Sequence, residues 1–372
     1  MPHSRREFLK GAASAATVSA VPVAESATAL WPPIIAPNQI TQLFKRLPGD
    51  KAVSIYAPPV GGRGVRVRFN SSQMLFVASA YKTFLLCELM RQLDSPDIVH
   101  TLETTPVTLD STVWSPSSPT FNAPKVTGTV LERATLEAMV TTSDNTATDM
   151  VSKIVGVGNV RDFISSIGLT QTLIPDSTRA FAAYLLGADN YLTITWDQLN
   201  ALIDKGNGFV NPFLNDVETL ASSADDLISY YSRVLTGEFF RHPETLNEFQ
   251  RILTLCDFIY LIPLPKGVSA YAKSGNIDSS GFSARSIAGG MYFSNRWVYF
   301  AFIINWYSQT SPDTATINSF FSAINQSLTL IRDSLAGGYR ITRRLDEEQD
   351  APEHIPSSLS EPDFGPREKS KE

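Results

Sequence analysis

The runs "ARSIAGGMYF" (284–293) and "WVYFAFIINWY" (297–307) constrain the fold more than any other part of the chain. Both are rich in β-branched and aromatic residues, and only the short stretch Ser294-Asn295-Arg296 separates them. Two such runs with so tight a polar connection predict an antiparallel hairpin. A third run, "VSAYAKSG" (268–275), precedes them with the same character. Near the other end, "KAVSIYAP" (51–58) and "RGVRVRFN" (63–70) alternate apolar and polar residues around a Gly-rich "PPVGGRG", which predicts a second hairpin.

The chain between these strand groups has the longer period of helices. Apolar residues recur at helical spacing over 80–93, then in "LERATLEAMV", "NTATDMVSKIV" and "VRDFISSIG". "TWDQLNALIDKG" is entered through a threonine cap at Thr195, and 214–256 carries two or three more helical patterns. A polar, Pro- and Ser-rich stretch covers about 94–128, and 169–192, with Pro175 and Gly187, reads as a long loop. An amphipathic helix over 314–335 follows the last strand, and there is no internal repeat. The expected fold is therefore α+β. Two early and three late strands pair in one five-stranded antiparallel sheet flanked by helices, and the middle helices form a separate lobe. The expected boundaries are a domain over 38–342, with an α/β lobe from about 38–78 and 258–338 and a helical lobe from about 79–257.

Composition narrows the function. The 372 residues are 43% hydrophobic and 18% charged, enough to bury a sizeable core. A net charge of −6 gives no basic footprint, so no nucleic-acid partner is expected. Four scattered histidines (His3, His100, His242, His354) form no ligand spacing, so neither a metal nor another cofactor is expected. G-x-S-x-G is absent. The two cysteines fit one bridge at most. Cys87 lies in an apolar helical pattern, which favours a buried thiol, but pairing with Cys256 stays open.

The N-terminus "MPHSRREFLKGAASAATVSAVPVAESATALW" has basic, weakly apolar and small-residue regions in that order. "SRREFLK" resembles the twin-arginine export signal. That resemblance implies a signal peptide over 1–29, a partnership with the twin-arginine export machinery, and a periplasmic or secreted protein. No later run is long and apolar enough for stable membrane insertion after cleavage. Beyond about 343 the chain is charged and proline-containing, and a disordered tail over 343–372 is expected.

Three short motifs carry the chemistry. "SAYK" places Ser79 and Lys82, "TSDNTA" places Ser143, Asp144 and Asn145, and "AKSGN" places Lys273, Ser274, Gly275 and Asn276. Singly, each is weak; a serine and lysine three apart are most often a surface pair. In this order and in these contexts they resemble the S-x-x-K, S-D-N and K-T-G set of class A β-lactamases and penicillin-binding proteins. "VWSPSSP" (113–119) resembles the segment that sets an aromatic residue, here Trp114, at the mouth of that site. The likeness spans roughly 40–335 and identifies the chain as similar to the class A serine β-lactamase family.

The residues have a physical logic of their own. A serine hydroxyl is a weak nucleophile and needs a base within reach. Residues i and i+3 share a helix face, so Lys82 can serve Ser79. It does so only when neutral, and burial with a second nearby cation, Lys273, favours that form. Ser143 can relay the proton to the leaving group, and Lys273 with Ser274 can bind a substrate carboxylate. The helix start at Ser79 offers one N–H to an oxyanion. The resemblance implies that Asn276, just past Gly275, supplies the second. Asn145 is expected to hold the neighbouring loop and the substrate amide. Arg285 is either a second carboxylate anchor or a solvated strand residue. Asp144 is expected to bind backbone.

The pattern breaks in "LIPDSTRAFAAYLLGADNYLTIT". The family has a water-activating glutamate there with an asparagine four residues on. Counting from the flanking segments puts Arg179 and Ala183 at those places. Arginine cannot be that base. Asp176 could take over the task, or pair with Arg179 within the loop. The segment 214–257 also looks longer than the family needs, with "ISYYS" and "EFFRH" as either cleft or core aromatics.

Three functions fit. The first is a serine hydrolase acylated on Ser79 by β-lactams or related amides and esters, a class A-like β-lactamase without the loop glutamate. The second is a D-alanyl-D-alanine peptidase or esterase on the same scaffold. The third is a non-catalytic binder of β-lactams or peptidoglycan stems.

Overall fold

A computed structural model describes residues 37–256, 264–279 and 281–336. The proposed signal segment and tail lie outside them. The chain opens with helix α1 (Pro37–Lys45) and the hairpin β1 (Asp50–Val60) and β2 (Arg63–Phe69). Gly61 and Gly62 make its two-residue turn at φ of +58° and +78°, the left-handed backbone such a turn requires. Late in the chain come β7 (Ser269–Asp278), β8 (Ser283–Phe293) and β9 (Arg296–Trp306). The β8–β9 turn is Ser294-Asn295, both at positive φ, with Arg296 already paired to Phe293. Helix α11 (Thr314–Ala336) follows. The main compact unit ends at Leu335; of a second unit, Ala336–Glu372, Ala336 alone is described.

The five strands form one antiparallel sheet in the order β2-β1-β9-β8-β7. β8 and β9 are buried on both faces, which is why they read as unbroken apolar runs. The edge strand β2 keeps the alternation of a half-solvated strand. Along β9, Phe300, Phe302 and Ile304 turn to one face. There they pack with Ile40 and Phe44 of α1 and Phe320, Ile324 and Leu328 of α11. Tyr299, Ala301 and Ile303 turn to the other face, with Ala52, Ala284 and Ala288. The small side chains let helix α9 (Ala224–Val234) lie close against this face through Leu227, Tyr230 and Tyr231. Each buried phenyl contributes about 1.5–3 kcal/mol, and truncating Phe302 to alanine costs about 3–5 kcal/mol.

A second lobe grows from β3 (Leu75–Phe76), a 3₁₀ turn (Ala78–Tyr81) and helix α2 (Lys82–Gln92). α2 is buried from Lys82 to Met90, the signature of a central helix. Around it stand α3 (Ile98–Thr104), β4 (Pro106–Leu109), β5 (Gly128–Leu131), α4 (Glu132–Thr141), α5 (Asn145–Val155), α6 (Val157–Ser166) and α10 (Pro243–Leu253). Helices α7 (Thr178–Leu185) and α8 (Trp196–Asp204) precede β6 (Ala221–Ser222), which pairs with β3. Thr195 caps α8 in a full capping box.

Two sequence expectations need correction. The span 169–192 is not an unbroken loop, because α7 lies inside it. Its "TRAFAAYL" is short, but the Ser177 hydroxyl accepts from Ala180 N and so caps it. Likewise the polar stretch 94–128 holds α3 and β4, a helix and a strand too short to show a period. In the long segment 214–257, Tyr230 and Tyr231 are fully buried and Phe239 and Phe240 pack on the same core. Its aromatics are structural. Cys87 and Cys256 are both free and buried, so they do not pair; burial pushes the Cys87 thiol up.

Candidate active site

Ser79 sits in the 3₁₀ turn where β3 meets α2, at the seam between sheet and helical lobe. Strand β7 runs past it. A Cβ on Gly275 would lie 2.1 Å from Val77 O and 2.7 Å from Ser79 N, so only glycine lets the strand come this close. Ser286 of β8 ties down the same turn, donating to Val77 O at 2.6 Å. Asn305 of β9 clamps Phe76 through its N–H (2.9 Å) and C=O (2.8 Å). β7 is the edge of the sheet, so alternate backbone groups are left unpaired by β8 and face the serine. Among the described residues the Ser79 hydroxyl has no hydrogen-bond partner, although Ser79 lines the cavity below.

Lys82 and Lys273 are both fully buried, and both aim at the turn before α5. Lys82 Nζ donates to Ser143 O (2.6 Å), Asn145 Oδ1 (2.8 Å) and Ser143 Oγ (3.3 Å). Lys273 Nζ donates to Ser143 Oγ (3.2 Å) and Ser274 O (3.0 Å). Burial, and next the charge of Lys273, hold Lys82 well below the usual lysine range. Asp144 and Asp149 pull the other way. Ser143 has φ of +57°, a left-handed backbone that costs a residue with a Cβ about 1–3 kcal/mol. The strain aims its hydroxyl at the two ammonium groups.

Asp144 does the structural work expected of it. Its carboxylate caps α5 by accepting from Ala147 N (2.8 Å), and accepts from Thr120 N and Phe121 N, both at 2.9 Å. Asn145 Nδ2 donates to Pro116 O at 2.8 Å, so this side chain links Lys82 to the "WSPSS" segment.

Ser79 opens into a cavity of about 600 Å³. Its lining combines the polar residues Ser117, Ser118, Thr142, Ser143 and Asn145 with an apolar group, Phe76, Phe181, Leu220 and Ile277, and includes Thr178, Asn276 and Asp278. Sequence reasoning missed Phe76, Thr178 and Phe181, which no local motif marks.

Four residues singled out from the sequence make other contacts. Trp114 does not line this cavity. Its Nε1 donates to Val126 O (3.3 Å) and its ring meets Trp196 edge-on at 6.0 Å. Arg285 is neither solvated nor a free anchor, because its Nη2 binds Asp278 Oδ2 at 2.6 Å while Nη1 donates to Ile277 O and Ala284 O. Arg179 and Asp176 do not pair with each other. Arg179 turns away from Ser79 and donates to Ser111 O and Thr112 O, whereas Asp176 binds Arg161 at 2.6 Å. Both line a second, smaller cavity on the far side of α7. The residues that α7 turns toward Ser79 are Thr178 and Phe181. Asp149 braces the start of α7, accepting from Thr178 N (2.7 Å), Thr178 Oγ1 (2.8 Å) and Arg179 N (3.1 Å). Burial raises its carboxyl to about 6. Among the described residues no three His, Cys, Asp or Glu side chains converge as metal ligands would.

An antiparallel sheet, a helical lobe, and a serine at their seam beside two buried lysines define a serine hydrolase of the β-lactamase type. The chain belongs to the β-lactamase enzyme family, whose sequence profile it matches over residues 36–328. Solved structures share the fold. A class A β-lactamase from Bacteroides cellulosilyticus is 18% identical with a TM-score of 0.57, over 78% of this chain and 96% of that one. PBP-A is 19% identical with a TM-score of 0.56, over 78% and 94%. A β-lactamase from Sphaerobacter thermophilus is 17% identical with a TM-score of 0.57, over 80% and 98%. No curated protein sequence matches.

Proposed function

We propose that this protein is acylated on Ser79 by β-lactams or related amides and esters, and that it releases the acyl group slowly. The observation that carries the reading is the convergence of two buried lysines on the one hydroxyl of Ser143, beside an unpartnered Ser79. When Lys82 is neutral its nitrogen has a lone pair, to which Ser79 Oγ–H donates as the oxygen attacks the carbonyl. The C–N or C–O bond of the donor then breaks. The proton passes from Lys82 through Ser143 Oγ to the departing nitrogen or oxygen. Burial and the charge of Lys273 disfavour the proton on Lys82, while Ser274 Oγ lies 3.6 Å from Cys256 Sγ, outside the cavity lining. The developing oxyanion sits between the N–H groups of Ser79 and Asn276, where fixed donors are worth most.

Slow release follows from α7. Water activation by a positioned carboxylate contributes about 10²–10⁴-fold in rate. α7 presents a threonine and a phenylalanine to the cavity, and the one carboxylate among the lining residues, Asp278, is bound by Arg285. The same feature supports the second reading, a D-alanyl-D-alanine peptidase or esterase with little β-lactam turnover. PBP-A has been solved with this fold as a penicillin G acyl-enzyme of a variant, which is consistent with either. We further propose export by the twin-arginine route, on the strength of "SRREFLK".

Intact-mass spectrometry with a penicillin, sampled from seconds to hours beside Ser79→Ala, tests the reading. An adduct on the wild type alone that persists for minutes or longer supports it. An adduct that clears within seconds would show an efficient β-lactamase. No adduct from β-lactams or esters would leave only a non-catalytic binder.

A further inference from the structure

The apolar wall of the cavity is the inner end of a larger aromatic assembly. Phe76 stacks on Phe181 at 5.8 Å and meets Phe213 and Phe282 edge-on at 5.5 and 6.0 Å. Phe213 stacks on Phe282 at 4.7 Å, and from this pair the rings continue outward to Phe209 and to Tyr307. Tyr307 is 82% exposed and Phe209 45% exposed. A continuous run of ring surface thus leads from solvent to the wall facing Ser79. Phe76, Phe181, Leu220 and Ile277 bring no hydrogen-bonding side chain to the lining.

We propose that this wall selects the acyl group, so that the portion of substrate Ser79 retains carries an uncharged aromatic or bulky apolar side chain. The inference rests on the acyl-enzyme reading above. A charged or strongly polar side chain would lose its hydration against ring faces and find no partner there. A phenyl group gains both apolar burial and offset or edge contacts with Phe181 and Phe76. Ser117, in the polar part of the lining, suits the amide that joins such a group to the reacting ring.

The test compares second-order acylation rates of the full chain by three penicillins with one nucleus. Their side chains are phenylacetyl, acetyl, and an aliphatic chain ending in an ammonium and a carboxylate. The phenylacetyl donor is expected to outpace the acetyl donor by about tenfold or more, with the charged donor slowest. Phe181→Ala is expected to collapse the phenylacetyl-to-acetyl ratio toward one, while Phe181→Leu, which keeps the apolar volume, retains most of it. The ratio is internal to each variant, so a loss of folded protein does not imitate the effect. A wild-type ratio near one, a ratio unchanged in Phe181→Ala, or a faster charged donor would overturn the proposal. If no penicillin labels Ser79, the β-lactam reading fails by itself, and phenylacetylglycyl and acetylglycyl thioesters decide the acyl preference by the same ratio. Failure of every donor would overturn both.

Discussion

Lys82 Nζ and Lys273 Nζ donate to the same oxygen, Ser143 Oγ, at 3.3 and 3.2 Å. Two ammonium groups on one acceptor, both fully buried, repel each other with little water to screen them. The cheaper charge state has one lysine neutral, and Lys82 is held low by burial and by the charge of Lys273. Acylation is therefore expected to rise with pH along a limb set by Lys82. Lys273→Ala removes a cation, so Lys82 keeps its proton longer and the limb moves to higher pH. A pH profile of the acylation rate that does not move in Lys273→Ala would refute this account.

Ser143→Ala takes away the acceptor that both ammonium groups share and the path of the proton to the leaving group. Acylation should fall about 10²–10⁴-fold while the protein stays folded. Stopped-flow acylation combined with circular dichroism separates this from simple unfolding.

Gly275→Ala places a methyl group 2.1 Å from Val77 O and 2.8 Å from Ala80 N, both backbone atoms that cannot swing away. β7 must then back off from the serine turn. A stability loss of about 1–3 kcal/mol, read from urea midpoints, should accompany a loss of acylation. Unchanged acylation would show that the strand does not need to approach Ser79 so closely.

α7 offers a paired test of which of its residues faces the acyl group. Thr178 lines the Ser79 cavity, whereas the Arg179 guanidinium is bound to Ser111 O and Thr112 O behind it. Thr178→Glu should install a carboxylate in the lining of the Ser79 cavity, and shorten the adduct lifetime by about tenfold or more. Arg179→Glu should not shorten it. The reverse order in time-resolved mass spectra would mean that α7 is turned the other way.

Asp149 gives a pH signature in stability. Its carboxyl is raised by burial from 3.8 to about 6, so between those values the folded chain holds a proton that the unfolded chain has lost. The contribution is full below about pH 4 and disappears as pH rises through about 6. Compared with Asp149→Asn, the wild type should lose about 1–1.5 kcal/mol between pH 5 and 7.5, at roughly 1.36 kcal/mol per pH unit over the remaining window. Parallel urea titrations at both pH values check the sign.

The strands and the polar half of the site were legible because each is local. Alternation and apolar runs mark β1, β2 and β7 to β9. Ser79 with Lys82, Ser143 with Asn145, and Lys273 with Gly275 each sit within a few residues of one another. What stayed hidden depends on contacts far along the chain. The aromatic wall gathers Phe76, Phe181, Phe213 and Phe282 from four separate segments, and none of them has a local reason to be special. The same holds for charges. Arg285 looked available until Asp278 on the neighbouring strand was seen to bind it, and Asp176 was close in sequence to Arg179 but found Arg161 instead. Helix α7 escaped because Pro175 and Gly187 bracket it so tightly that its eight residues resemble a turn-rich loop.

The position of β9 in the middle of the sheet has a consequence for when the protein comes alive. Among the described residues β9 is the last strand to leave the ribosome, yet the early hairpin joins the later strands only through it. Until β9 is available, β1 has an open edge and β7 has no route to the serine turn. Ser79, the proposed nucleophile, and Lys82 are made early, but Lys273 and the close-approaching Gly275 come from late sequence. A truncated or nascent chain thus holds half of a site and none of its geometry. Such non-local pairing makes for slow folding. It also means that the full site is assembled all at once, when β9 slots into the gap kept for it.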